Sequence, residues 1–138
     1  MKPVLLLDTN IILRFLRQDD PVQSPACTDL FTRAERGEFT LHLDAISVAE
    51  AVWVLTSFYK QPRAKVEEML SSLLQHPSII AENRDRLQNS LLLFASTNAD
   101  FVDCHLAAQG QETGCTIVTY DRDFKKIPGV IWRTPERV

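Results

Sequence analysis

The sequence predicts an α/β domain with a mostly parallel sheet, and three features carry that expectation. Two apolar, β-prone runs, residues 4–7 and 115–120, each lead into an aspartate, Asp8 and Asp121. Between them, segments with helical spacing alternate with further short β-prone runs. That is the order in which helices come to cover a parallel sheet. No repeat, linker or low-complexity segment interrupts the pattern, so residues 1–138 are expected to form one domain. A chain of this length can bury a core without disulfides or structural metals.

The elements follow in order. Residues 4–7 are apolar and enter Asp8-Thr9-Asn10, which predicts a strand buried on both faces with Asp8 at its carboxyl end. In open α/β sheets ligands bind along that edge. A helix is expected over 10–18, with Ile11, Ile12, Phe15 and Leu16 on one face and Asn10 as its cap. Asp19-Asp20-Pro21 breaks it, and a second helix over 22–36 stops at Gly37. Residues 39–43 alternate as a second strand. Asp44 or Ser47 then caps a helix reaching to about residue 59. Pro62 stands where a further helix starts, and residues 63–75 keep Val66, Met69, Leu70, Leu73 and Leu74 on one face, a packing pattern.

Pro77 ends that helix and residues 78–81 form a short third strand. Asn83 caps a helix to about residue 96 that carries Leu87, Leu91, Leu92, Phe94 and Ala95. The helix over 99–113 is stopped by Gly114, and residues 115–120 form the fourth strand. Pro128-Gly129 turns the chain into a short edge strand over 130–132, whose Trp132 covers the core. Residues 133–138 read as a polar extension.

Composition narrows the class. With 45% hydrophobic and 24% charged residues the chain resembles an ordinary water-soluble globular protein. Its net charge of −3 does not advertise nucleic-acid binding, yet acids clustered in one site can mask basic residues around a rim. Cys27, Cys104 and Cys115 show no CxxC or Cys/His zinc spacing and suit buried thiols in a reducing compartment. Asp8 and Asn10 interrupt any signal-like run, and no stretch approaches the roughly 20 apolar residues of a membrane span. The expected location is the cytoplasm.

Four acids stand out. Asp8 and Asp121 sit at strand ends. Glu50 is the only charged residue between Ala45 and Tyr59, and it shares an arc with Ile46, Ala49, Trp53 and Val54. An all-round apolar helix implies burial, and a buried carboxylate needs a cation, a basic partner or a proton. Asp100 and Asp103 share a helix side with the small residues Cys104 and Ala107. Asp100 also suits an N-cap role, whereas Asp103 has no such explanation. Thr119 is placed to turn its hydroxyl toward the same cleft, and Asp123 suits turn chemistry. His105 lies on another side of the helix, as a surface or core-edge residue.

If the first and fourth strands are neighbours, Asp8 and Asp121 end side by side and Glu50 and Asp103 close the pocket. Carboxylates so gathered repel one another unless a cation or proton intervenes. All-oxygen donors select Mg²⁺ or Mn²⁺ over zinc. The chemistry is then in-line attack of metal-activated water on a phosphodiester, with one or two ions.

Residues 5–13 (LLLDTNIIL), 49–55 (AEAVWVL), 99–108 (ADFVDCHLAA) and 118–124 (VTYDRDF) resemble, in order and spacing, the acidic motifs of PIN-domain ribonucleases. The likeness is nearest to VapC-type toxins of toxin–antitoxin pairs, and it covers essentially the whole chain. It implies a PIN-like three-layer α/β/α domain with a parallel sheet of about five strands. It makes Asp8, Glu50, Asp103 and Asp121 the catalytic, metal-binding acids, with Asn10 and Thr119 as supporting polar residues. Asp100 is a further acid whose contact with a metal the resemblance leaves open. The resemblance also implies Mg²⁺ or Mn²⁺ dependence, endonucleolytic RNA cleavage, a homodimer and inhibition by an antitoxin. Arg14, Arg17, Lys60, Arg63, Arg122, Lys125 and Lys126 are candidates to hold the RNA backbone.

Two other classes compete. Phosphatases of the haloacid-dehalogenase type need a second Asp two residues after the first, where this chain has Asn10, and the paired acid and late Lys of receiver domains are not evident. A catalytically silent PIN-like module that binds RNA or protein is opposed by the presence of all four acids.

Overall fold

The computed structural model describes residues 2–138, and the chain divides into two compact units, Met1–Arg84 and Asp85–Val138. In the first, β1 (Val4–Leu6), β2 (Thr40–His42) and β3 (Ile79–Ile80) form a parallel ladder in that order, with Val4 opposite Thr40 and Leu41 opposite Ile79. Helices α1 (Thr9–Arg17) and α2 (Gln23–Glu35) join β1 to β2. Helices α3 (Ala45–Ser57) and α4 (Arg63–Leu74) join β2 to β3. Both connections are the helical crossovers that parallel strands require. Ile12, Phe31, Leu41, Leu43, Leu55 and Ile79 are buried at the centre, and the Phe15 and Phe31 rings stack with centroids 3.8 Å apart.

The helix boundaries have identifiable causes. Asp8 is the N-cap of α1, and its carbonyl accepts from Ile11 N at 3.0 Å; Asn10, the expected cap, lies exposed inside the first turn. β1 ends at Leu6, one residue earlier than the sequence suggested. Of the two candidate caps for α3, Asp44 takes the role, its Oδ1 accepting from Ile46 N at 2.7 Å. Pro62 is the N-cap of α4. β1 is not buried on both faces: Leu7 is buried and Leu5 half-buried, whereas Val4 and Leu6 are exposed. Side chains alternate across a strand, so one covered face accounts for this pattern.

The second unit contains nearly all of α5 (Arg84–Ser96), then α6 (Phe101–Thr113), β4 (Ile117–Val118), a 3₁₀ turn over Arg122–Lys126, β5 (Trp132–Arg133) and a terminal 3₁₀ turn, Pro135–Arg137. β4 and β5 pair in parallel, with Ile117 opposite Trp132. Ala107, Ile117, Phe124 and Ile127 form the core, flanked by Leu93, Val130 and Trp132. On α5, Leu87, Leu91 and Phe94 are buried and Leu92 is exposed. Gly110 lets α6 lie close on β4, since a Cβ there would come within 3.2 Å of Ile117 Cδ1. Gly114 ends α6 in the left-handed conformation at φ 73°.

The α/β class with parallel strands is thus observed, with five strands among the described residues arranged as ladders of three and two. Expected strands of three to six residues are observed as two or three. Among the described residues no helix is long and apolar enough to cross a membrane.

Candidate acidic site

In the second unit, α6 and the 3₁₀ turn bring a set of carboxylates into one electrostatic field. Asp100 is the N-cap of α6; its carbonyl accepts from Cys104 N at 2.9 Å, but its side chain makes no cap bond. Asp103 follows in the first turn, half-buried. Burial pushes the Asp103 carboxyl above the ordinary range, and the charges of Asp100, Asp121 and Asp123 push it the same way. The helix N-terminus favours negative charge. It does not prevent this upward shift.

Asp121 is fixed by two local bonds. Its N–H donates to Thr119 Oγ1 at 2.9 Å, and its Oδ1 accepts from Asp123 N at 2.8 Å, capping the 3₁₀ turn. The Thr119 hydroxyl, expected to face the cleft, therefore holds the backbone of an acid. Asp123, which suited turn chemistry, does lie in the turn and also bears on Asp103. The signal for it was the Asp-Arg-Asp sequence at residues 121–123, which the bond from Asp123 N to Asp121 Oδ1 holds within one turn. His105 is half-buried beside Phe101, and burial, then the nearby Arg86, lowers its affinity for a proton.

The first unit holds the other two motif acids. Asp8 is exposed at the carboxyl end of β1, with no side-chain cap bond to α1. Glu50 is exposed, which corrects the expectation that α3 buries it. The physical reason is the partial cover of an all-apolar helix. Val48, Ala51, Val52 and Leu55 face the core, while Glu50 shares the open side with Ile46 at 80% and Trp53 at 66% exposure.

Asp100, Asp103, Asp121 and Asp123 of the second unit are oxygen donors whose charges bear on Asp103, the chemistry that suits a hard divalent cation. Among the described residues, no three Asp, Glu, His or Cys side chains stand together as a ligand set. The fit to Mg²⁺ or Mn²⁺ therefore rests on donor type and on the repulsion felt by Asp103.

A family model, that of the PIN domain, matches residues 5–130 and so takes in all four motif acids. The chain belongs to the PIN-domain family. Its α/β class with parallel strands accords with that membership, and PIN domains are generally nucleases, hydrolases of nucleic-acid backbones. Comparison with curated proteins found no match.

Proposed function

We propose that this PIN domain is a metal-dependent endoribonuclease, the VapC-type toxin of a type II toxin–antitoxin pair acting in the cytoplasm as one nuclease domain over residues 1–138. The observation that carries this proposal is the group of carboxylates bearing on Asp103. Asp8, Glu50, Asp103 and Asp121 are the proposed catalytic and metal-binding acids, with Asp100 as a further acid beside Asp103. Bound Mg²⁺ or Mn²⁺ would supply charge neutralisation at the phosphodiester and a water of lowered pKa.

The chain's own groups have separable tasks. Burial and its acidic neighbours raise the Asp103 carboxyl's affinity for a proton, and a bound cation would relieve the same repulsion. Thr119 positions Asp121 through the backbone bond. Asn10, exposed in the first turn of α1, offers an amide for substrate or water. Arg122 and Lys125, exposed on the 3₁₀ turn, are suited to the RNA backbone. Arg14 and Arg17 are already engaged with Asp20 and Asp19. Lys60 and Arg63 remain candidates at the entry to α4. The exposed Ile46, Trp53 and Phe58 support a protein partner, an antitoxin or a second copy in a homodimer.

The test is incubation of purified, antitoxin-free protein with structured and single-stranded RNAs in Mg²⁺, Mn²⁺ or EDTA. Internal cuts that need the metal are expected. A folded protein that binds RNA equally in EDTA and cuts none of the panel would instead indicate a silent binding module.

A further inference from the structure

The second unit contains a cavity of about 230 Å³ lined by Ser96, Thr97, Asn98, Ala99, Asp123, Lys126 and Ile127. Its walls are set by local bonds. Thr97 Oγ1 donates to Leu93 O at 2.7 Å and accepts from Ala99 N at 3.3 Å, fixing the turn after α5. Cys104 Sγ reaches Ala99 O at 3.7 Å, tying that turn to α6. Opposite, Ile127 is buried and gives the cavity an apolar floor next to the 3₁₀ turn.

Polar groups ring this floor. Asn98 sits between the two bonded residues, and among the described residues its side-chain amide has no hydrogen-bond partner. Lys126 pairs with Asp123 at 3.3 Å, with both side chains about two-thirds exposed. Such an exposed pair contributes little and exchanges partners readily. Asp123 is also one of the carboxylates bearing on Asp103, so the cavity adjoins the acidic group.

We infer that this cavity holds a nucleobase of single-stranded RNA, read by the Asn98 amide, with Lys126 released to the adjoining phosphate. This rests on the ribonuclease proposal for its biological setting, but the binding itself does not. An apolar cavity of about 150 Å³ takes benzene, so the volume here suits a base. A side-chain amide presents a donor and an acceptor together, the pattern that pairs with a base edge. Unstacked bases in single strands are what RNA-binding proteins read by such contacts.

The experiment follows the Asn98 side-chain amide signal by NMR in EDTA, where no cutting occurs. AMP, GMP, CMP, UMP and ribose 5-phosphate are titrated to roughly millimolar concentrations, followed by trinucleotides containing the preferred base. One monophosphate is expected to shift the signal saturably, at least about tenfold more tightly than the weakest. Its trinucleotide should bind more tightly still, and Asn98→Ala, followed through the backbone amide signals of the lining residues Thr97, Ala99 and Lys126, should erase the preference while leaving the rest of the amide spectrum intact.

Equal shifts with ribose 5-phosphate would overturn the inference in favour of a plain phosphate site. Tighter binding of the monophosphate than of its trinucleotide would overturn it in favour of a free-nucleotide site. No saturable shift with any base would overturn it outright. A protein that cuts no RNA but shows the base-selective shift would sink the nuclease proposal alone.

Discussion

Asp103 is the residue at which sequence and physics meet most directly. Its carboxyl holds a proton more tightly in the folded chain than in the unfolded one, by burial first and by its acidic neighbours second. The resulting contribution to stability is fully present below the ordinary pKa of 3.8 and is lost as pH rises through the raised folded value. Asn keeps the neutral form at every pH. Asp103→Asn is therefore expected to raise Tm at pH 7 in EDTA, with the gain closing below about pH 3.8, as thermal scans across pH would show. Thr119 is tested by a pair of variants. Thr119→Val removes the acceptor for Asp121 N, costing about 1 kcal/mol, and is expected to lower cleavage, while Thr119→Ser retains both. The sequence marked Asp103 and Thr119, but not the direction of the Thr119 hydroxyl. A strand's alternation sets which side a residue lies on, not which neighbour its hydroxyl meets.

Among the elements, helices were more legible than strands. Gly37, Asp44, Pro62 and Gly114 act as stops and starts because their chemistry is local. Asp44→Ala removes the bond to Ile46 N and is expected to cost about 1 kcal/mol. Gly114→Ala is expected to cost about 1 kcal/mol from the left-handed backbone alone, since nothing lies within 4 Å of an added Cβ. Denaturant titration of both variants measures this directly. Glu50 shows where periodicity fails. A helix apolar on every side gives no phase, so the sequence could not say which side faces the core, and Glu50 proved exposed. The cavity at Asn98 was equally hidden, because it depends on a turn after α5 and a 3₁₀ turn that lie about 25 residues apart in sequence.

For the whole molecule, the α/β class was legible from alternation alone, and the family from four acidic motifs in order. The matched span, residues 5–130, runs through both compact units, and each unit contributes two of the motif acids. The proposal that they serve one reaction makes a demand no single substitution can test. Groups that act as a unit lose nearly everything with the first removal, so their effects do not multiply. The decisive measurement is the RNA cleavage rate of Asp8→Asn, Asp103→Asn and the double variant, each verified as folded, at saturating Mg²⁺ or Mn²⁺. Each single variant should lose at least about a hundredfold, and the double should fall no further than the worse single. Independent, multiplying losses, or near-normal cleavage by either single variant, would contradict the assignment of these acids to one catalytic set.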